Sequence, residues 1–340
     1  FLNKGKRVKY GTPAALHSWD KGLPNNRLGL ARWLTSPENP LVARVTVNRW
    51  WAQFMGRGIV ATEEDFGSQS EPPTHPELLD WLATEFVDSG WSMKHVHRTI
   101  VLSRTYQQSS RLTAPQLEKD PENKYYGRGP RFRMTAEMIR DNALQISGLL
   151  STKMHGPPIF PPQPDGLWKQ VGRNEPKYAA AKNEDRFRRG IYVIWRRAAP
   201  YPSFVNFDGP DRSACHPRRS RTNTPLQALT LLNDEAYVEM ALGFAANILS
   251  QNPSASLDEK IHTAFRQALS REPRPNEVAT LKELYETESK ELRKNPSRVS
   301  QLLDGIKGYK PSPGLDRNQL AAWFSITNTL LNLDETVTKS

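Results

Sequence analysis

The sequence predicts a mainly α-helical, multi-helix domain with long loops rich in proline and arginine and a short strand element near residues 190–195. Apolar residues recur at helical spacing over most of the chain, and several of these runs begin at capping residues or end at glycine. Many of the 27 prolines lie between those runs, which indicates long ordered loops.

The first third of the chain contains three predicted helices. The first follows the cap and proline of Asn39-Pro40 and ends near Gly56. The second begins at a Thr-x-x-Glu capping box that starts at Thr74, and Ser92 can cap the third. Helical periodicity returns over residues 136–150.

The middle of the chain is irregular. Residues 156–189 are polar and proline-rich without a clear period, and residues 198–223 form a second loop. The β-branched and aromatic run at 190–195, Gly-Ile-Tyr-Val-Ile-Trp, lies between them and is the best strand candidate.

The last third is again helical. A Thr-x-x-Gln capping box at Thr224 predicts one long helix, whose apolar stripe reaches Phe244. Three further helices are predicted at about 257–270, 275–294 and 317–333.

The predicted parts form one integrated domain. They are a lead segment at 1–25, an N-terminal helical part at 26–150, a proline- and arginine-rich loop region at 151–223, and a C-terminal helical part at 224–340. The chain begins with Phe1 and not with methionine, so we expect a fragment of a longer protein.

Composition excludes several classes of protein. No apolar run approaches the roughly 20 residues of a membrane-spanning helix, so no transmembrane segment is expected. Cys215 is the only cysteine, which excludes a disulfide framework, a cysteine-rich zinc site and an iron–sulfur cluster. Metal-binding and haem-attachment motifs are absent as well, so we expect no metal or cofactor in this segment.

The positive charge is concentrated in one segment. The chain has 47 Lys+Arg against 36 Asp+Glu, a net charge of +11, and a local excess of seven positive charges lies between residues 186 and 221. That stretch has two acids, Asp208 and Asp211, no lysine, and nine arginines: Arg186, Arg188, Arg189, Arg196, Arg197, Arg212, Arg218, Arg219 and Arg221. A guanidinium offers a planar fork of donors that suits carboxylate, sulfate and phosphate.

Two explanations of this arginine segment stay open. It can bind an anion, such as an acidic or sulfated glycan, beside the helix end that Thr224 holds in place. The binding groups are then Arg196, Arg197, Arg212, Arg218, Arg219 and Arg221. Alternatively, the arginines pair with Asp208, Asp211 and carboxylates of other helices and hold a long loop. Nucleic acid is not an expected partner, because no nucleic-acid-binding motif is present.

An enzyme is the alternative from another functional class, and the sequence does not decide whether the domain is one. An oxidoreductase or hydrolase would bring His75, Asp208, Asp211 and Cys215 into one cleft. Nearby arginines would stabilise a Cys215 thiolate, although a buried and inert thiol is the simpler interpretation. A third alternative is a structural module that docks on a neighbouring domain and leaves an apolar patch exposed.

Several long runs of the sequence together resemble a known family. They include Asn-Arg-Leu-Gly-Leu-Ala-Arg-Trp-Leu at 26–34, Glu-Pro-Pro-Thr-His-Pro-Glu-Leu-Leu-Asp-Trp at 71–81, Pro-Asp-Arg at 210–212 with Cys215, and Arg-Thr-Asn-Thr-Pro-Leu-Gln-Ala-Leu at 221–229. The chain resembles the planctomycete-specific C-terminal domain of unknown function that is found in large surface or secreted proteins.

The resemblance implies a setting more than a reaction. It implies an extracytoplasmic location (periplasmic, secreted or cell-surface) and neighbouring domains of the same polypeptide as partners. Such proteins often also carry a planctomycete cytochrome c domain, so any haem would lie on that separate domain. They accompany the breakdown of complex, often sulfated polysaccharides, which suits an anionic polysaccharide as ligand.

Overall fold

The computed structural model of the protein describes residues 3–8, 10–170, 177–215, 218–251 and 253–339. Helices dominate these residues, and this confirms the mainly α-helical fold class. The chain forms two compact units, of residues 1–131 and 132–339.

The first unit is a helical unit with its own core. Its helices are α1 (Arg27–Leu34), α2 (Val42–Met55), α3 (Pro76–Asp88), α4 (Met93–Leu102) and α5 (Ala114–Lys119). Apolar residues of α2, α3 and α4, such as Trp51, Leu82 and Ile100, are buried together. The predicted cap of α4 is confirmed, since the Ser92 hydroxyl accepts a hydrogen bond from the His95 amide (3.4 Å).

The predicted capping box at Thr74 is wrong. Helix α3 begins one residue later than that box requires, with His75 at its N-cap, and no side chain caps it. The Thr74 amide (2.9 Å) and hydroxyl (3.3 Å) instead donate to the carbonyl of Ile59. These bonds hold Thr74 to the loop at Ile59, one residue before the N-cap position that its side chain would need.

The second unit is larger and is built around two buried helices. Its elements are β1 (Phe132–Arg133), α6 (Ala136–Ser147), α7 (Pro202–Asn206), α8 (Pro225–Asn233), α9 (Glu235–Gln251), α10 (Leu257–Leu269), α11 (Pro275–Lys294), α12 (Pro296–Gly305), α13 (Arg317–Asn332), α14 (Asp334–Val337) and β2 (Thr338–Lys339). Helices α9 and α13 pack on each other. Both are buried on most sides, and α6, α8, α10 and α11 surround them.

A two-stranded antiparallel sheet closes this unit. Phe132 of β1 lies opposite Lys339 of β2, and Arg133 lies opposite Thr338. The first and last described residues of the unit are therefore hydrogen-bonded neighbours.

The strand predicted near residues 190–195 is wrong. Residues 190–192 form a turn of 3₁₀-helix, and Val193 makes a single parallel bridge to Ile159. The Gly190 amide donates to the Asp141 carboxylate (2.6 Å), and Gly190 lies against the backbone of Glu137. Packing against α6 and a side-chain acceptor thus take the place of a partner strand.

The single long helix predicted from Thr224 is also wrong, because it divides into α8 and α9 at Asp234. The Asp234 carboxylate accepts a hydrogen bond from the Ala236 amide (2.9 Å) and so starts a second helix. The Thr224 side chain makes no capping hydrogen bond, and the Gln227 side chain bonds elsewhere. Burial raises the pKa of Asp234 to about 6.

The three helices predicted after Phe244 are confirmed as α10, α11 and α13. Helix α12 follows α11 after Asn295, with Pro296 at its first position, and was not predicted. In the part of the chain that the structure describes, no helix combines the length and apolar character needed to traverse a bilayer.

Candidate anion-binding site

The arginines of the segment 186–221 have three different environments. Two are buried and structural, three more stack on aromatic rings, and the other four are at least partly exposed, one of them (Arg219) paired with a carboxylate. The internal, structural explanation therefore applies to the buried arginines, and the anion-binding explanation stays a prediction for the others.

The buried arginines hold the fold together. The Arg186 guanidinium donates to Glu239 through Nε (2.7 Å) and Nη2, and to Glu235 through Nη2 (2.8 Å). The Arg188 guanidinium donates to backbone carbonyls of the loop at 153–157 and lies over the Tyr192 ring. Since both side chains are almost fully buried, neither is accessible to a ligand.

Three arginines of the predicted site stack on aromatic rings. The guanidinium carbon of Arg196 lies 4.9 Å from the ring centre of Trp168, that of Arg212 lies 4.7 Å from Trp195, and that of Arg221 lies 4.1 Å from Phe132. Stacking fixes a guanidinium by its face and leaves its N–H donors in the plane.

A small pocket lies where the end of the arginine segment meets β1. It is narrow, with a volume of about 10 Å³ for the centre of a water-sized sphere, which is space for about one water molecule. The described residues that line it are Arg133, Met134, Thr135, Phe207, Asp208, Arg219, Ser220, Arg221 and Gln227. We call this the arginine pocket. Its lining contains three guanidinium groups and one carboxylate, a formal charge of +2 before their ion-pair partners outside the lining are counted.

The arginines of this pocket are held by partners on other elements. Arg219 Nη1 donates to the Glu137 carboxylate of α6 (2.6 Å). Arg133 bonds Asp334 of α14 (3.2 Å) and Asn223. These partners orient the guanidinium groups, and Glu137 is the one ion-pair partner of Arg219 in the described chain.

The carboxylate of the arginine pocket already accepts hydrogen bonds from within the protein. Asp208 accepts hydrogen bonds from the Thr222 amide (2.7 Å) and from the Thr222 hydroxyl (2.9 Å). The Thr222 hydroxyl oxygen in turn accepts from Nε2 of Gln227 (3.1 Å). Gln227 is buried, and its carbonyl oxygen has no hydrogen-bond partner among the described residues.

A lysine adds positive charge next to the arginine pocket. Lys339 Nζ lies 5.5 Å from the centre of the same Phe132 ring that carries Arg221. Burial lowers the pKa of Lys339 to about 8. Lys339 is therefore still mostly charged at neutral pH and loses its charge at a lower pH than an ordinary lysine.

The other predicted site residues are not among the described residues that line this pocket. Asp211 accepts hydrogen bonds from the amide (2.9 Å) and hydroxyl (2.7 Å) of Ser213. Cys215 is exposed, so the interpretation as a buried thiol is wrong. His75 belongs to the first unit, where its Nδ1 lies 3.0 Å from the Thr74 hydroxyl.

Three predicted ligand-binding residues, Arg197, Arg218 and Thr224, are exposed around the same segment. No group of three or more His, Cys, Asp or Glu side chains is arranged to hold a metal ion within the described ranges.

One family of proteins matches this chain. The family is described as PSD1, protein of unknown function (DUF1553), and its model matches residues 26–285. The chain belongs to the PSD1 family. No curated protein and no solved structure gives a significant match.

The PSD1 match spans the whole described lining of the arginine pocket but not all of its surroundings. Arg133, Asp208, Arg219, Arg221 and Gln227 lie inside the matched range. The partners supplied by α14 and β2 lie beyond its end. The PSD1 match therefore includes the pocket lining and leaves out some of the groups that orient it.

Sequence reasoning missed three groups at this site: Arg133, Gln227 and Lys339. Arg133 and Lys339 are far from the arginine segment in sequence. Arg133 donates directly to the Thr222 carbonyl (3.3 Å), and the pairing of β1 with β2 brings Lys339 opposite Phe132. Gln227 was interpreted as part of a capping box, which is a local use of the same side chain. The sequence contains one signal for this part of the site. Arg133 is a basic residue outside the arginine segment, and it directly follows the aromatic Phe132.

Proposed function

We propose that this PSD1 domain binds an anionic ligand, such as an acidic or sulfated glycan, at the arginine pocket. The observation that carries the proposal is the composition of the pocket wall. Arg133, Arg219 and Arg221 line it, and the one carboxylate among the described lining residues, Asp208, is already bonded to Thr222.

The arrangement of Arg219 supports binding at the pocket rather than a purely internal role. Its single ion pair uses Nη1, so the guanidinium keeps further N–H donors for an oxyanion. About a third of its side chain is exposed, which makes these donors accessible. Arg197, Arg212 and Arg218 are exposed on the same segment and would contact further charges of a polymer.

The test is calorimetric titration of the protein with a sulfated oligosaccharide. We expect the variant Arg219→Gln/Arg221→Gln to bind about tenfold or more weakly, because two charge-assisted contacts are lost. Arg266→Gln, which removes an exposed arginine of α10 far along the chain, is the matched control and should bind like the parent.

Salt provides a second criterion. Affinity for the sulfated oligosaccharide should fall steeply between 50 and 300 mM salt, because salt screens the charges and opposes the release of counterions from a polyanion. Equal binding of the uncharged oligosaccharide, or unchanged affinity of the double variant, would show that the arginine pocket is not the site.

The setting of the domain is proposed from the resemblance alone. We infer an extracytoplasmic domain of a planctomycete-type protein, joined to neighbouring domains that include a cytochrome c domain. Anionic polysaccharide outside the cell would then be the natural ligand.

A docking module is the second candidate function, and one observation favours it. Leu226 and Leu229 lie three residues apart on α8, and each is more than half exposed. These leucines would pack on a neighbouring domain of the polypeptide. If so, Leu226→Ser/Leu229→Ser should weaken association with that domain and leave oligosaccharide affinity unchanged.

The enzyme alternative stays a prediction without such support. Asp208 and Asp211 accept hydrogen bonds from Thr222 and Ser213. A reaction would have to displace these local donors before either carboxylate could act as an acid or a base.

A further inference from the structure

The second unit exposes aliphatic side chains of α7 and α8 together with arginines of the loop between these helices. We call this the α8 surface, and it consists of Val205, Arg212, Arg218, Arg221, Leu226 and Leu229. We propose that the α8 surface binds a lipid bilayer that contains anionic lipid. This goes beyond the proposed function and does not depend on it, because the glycan is assigned to the arginine pocket and not to the leucines of α8.

Helix α8 has one buried face and one exposed apolar face. Its buried residues are Gln227, Thr230 and Leu231. Leu226 and Leu229 are 53% and 54% exposed. They are three residues apart, so both side chains lie on the same side of the helix. The helix therefore presents a pair of neighbouring leucines that its own core does not use.

Two hydrogen bonds place the parts of the α8 surface side by side. Asn206 Nδ2 donates to the Thr230 hydroxyl (2.9 Å), which holds the end of α7 against α8. Val205, which is 48% exposed, precedes Asn206 and adds a third aliphatic side chain. The Thr222 amide donates to the Asp208 carboxylate (2.7 Å), which ties the end of the arginine segment to the residues that follow α7.

The charge of this part of the chain has one sign. Residues 212–233 contain four arginines and neither Asp nor Glu. Arg212, Arg218 and Arg221 are exposed. Asp211, directly before this stretch, accepts hydrogen bonds from its neighbour Ser213. The α8 surface is therefore complementary to a surface of negative charge.

Two of these arginines are also held in position. The guanidinium carbon of Arg212 lies 4.7 Å from the ring centre of Trp195, and that of Arg221 lies 4.1 Å from that of Phe132. Stacking orders the planar group before binding and leaves N–H donors at its edge, where they can bond phosphate oxygens.

Charge complementarity together with exposed leucines favours a bilayer over a folded protein as the partner. Anionic lipid provides phosphates of one sign above an apolar layer, so arginines and leucines find partners without a matched arrangement of carboxylates. Basic segments with an apolar helix face are typical of proteins that lie on a membrane surface. Each arginine near such a surface strengthens binding about fivefold.

The experiment is sedimentation of the full chain with vesicles of two compositions, phosphatidylcholine alone and an equal mixture of phosphatidylcholine and phosphatidylglycerol. We expect at least about tenfold stronger binding to the mixed vesicles, because several arginines contribute. A second readout uses Cys215, which is exposed within the arginine-rich stretch and is the only cysteine of the chain. A polarity-sensitive fluorophore on Cys215 should shift its emission to shorter wavelength when mixed vesicles are added.

Two double variants test the two parts of the α8 surface separately. Arg212→Gln/Arg218→Gln should bind the mixed vesicles about tenfold or more weakly, and Arg266→Gln/Arg293→Gln, which removes the same charge from α10 and α11, is its matched control.

Leu226→Ser/Leu229→Ser should bind the mixed vesicles about fivefold or more weakly, because the apolar contact is lost. Its matched control is Leu112→Ser/Leu117→Ser, which replaces two leucines of the first unit that are 46% and 53% exposed. Both controls should bind the vesicles like the parent, and circular dichroism checks that each variant is folded.

Three results would overturn the inference. The first is that mixed vesicles do not bind the parent protein, which leaves the leucines to a neighbouring domain. The second is that both variants of the α8 surface bind these vesicles as tightly as the parent. The third is binding without a shift of the Cys215 fluorophore, which places the contact elsewhere on the chain.

The sulfated oligosaccharide separates this inference from the proposed function. Leu226→Ser/Leu229→Ser should bind the oligosaccharide like the parent and bind vesicles more weakly. If the parent binds mixed vesicles and no oligosaccharide, the proposed function fails and lipid binding at the α8 surface stands. If it binds the oligosaccharide and no vesicles, lipid binding fails and the proposed function stands.

Discussion

At the scale of single residues, the second unit depends on a buried charge pair that fits closely around a glycine. Arg186 and Glu239 bond each other in the interior, and the Gly308 amide donates to the Glu239 carboxylate. A Cβ at Gly308 would overlap both Glu239 and Arg186. The sequence shows the arginine but not its partner 53 residues away, because such pairing is decided by tertiary structure.

Gly308→Ala should destabilise the second unit by roughly 2 kcal/mol or more, because overpacking pushes apart a buried ion pair that cannot reach water. Thermal unfolding followed by circular dichroism measures the loss. Gly305→Ala, where an added Cβ meets nothing within 4 Å, is the matched control. Equal melting temperatures for the two variants would contradict this prediction.

Asp234 gives the stability of the second unit a pH dependence. Burial raises its pKa from 3.8 to about 6, so the folded state holds this proton more tightly than the unfolded chain. The stabilisation is complete below about pH 4 and is lost as the pH rises through 6. Asp234→Asn keeps an acceptor for the Ala236 amide and cannot ionise.

Between pH 4 and pH 7, the free energy of unfolding of Asp234→Asn should therefore rise by roughly 2–3 kcal/mol relative to that of the parent. Its melting temperature should rise relative to the parent over the same range. Measuring the difference between the two proteins cancels the other titrating groups. A constant difference across this range would show that Asp234 ionises as freely in the folded protein as in the unfolded chain.

At the scale of elements, helices with long apolar periods could be predicted from the sequence, whereas caps could be predicted only in part. Ser92 and the helices α10, α11 and α13 follow the expected patterns. Thr74 and Thr224 have the same capping signature, but the Thr74 hydroxyl donates to Ile59 and the Gln227 side chain donates to Thr222. A capping box in sequence is thus a local preference that neighbouring loops can override.

A helix with a side-chain cap and a helix without one should lose different amounts of stability when the N-cap residue is replaced by alanine. Ser256 accepts from the Glu259 amide and completes a capping box at α10, so Ser256→Ala should cost about 1 kcal/mol. The Thr224 side chain makes no capping hydrogen bond, so Thr224→Ala should lower the stability by only a few tenths of a kcal/mol. Chemical denaturation compares the two, and a larger loss for Thr224→Ala would contradict the assignment of caps.

At the scale of the whole molecule, the chain is organised as two compact units, and the second starts at Phe132. Helix α6 contributes Ile139, Ala143 and Leu144 to its core. A mainly α-helical class was predictable from periodicity alone. The arginine pocket was not, because Arg133, which lines it, and Lys339, which lies beside it, come from opposite ends of the unit and meet through the β1–β2 pair.

The fragment 132–340 should therefore fold alone, with helical circular dichroism and one cooperative thermal transition. The fragment 151–340 lacks α6 and is the matched control, which should lose cooperative unfolding because part of the core is missing. Two equally cooperative fragments would show that α6 is not an integral part of this unit.

The pairing of Phe132 with Lys339 also has a mechanical consequence. Tension applied at these two residues pulls an antiparallel pair apart from its open end, so the hydrogen bonds break one after another and not all together. The short sheet would therefore yield at low force, before the helices carry any load. Arg133 and the Phe132 ring would move with it, so pulling on the unit would distort the arginine pocket before unfolding the helical body.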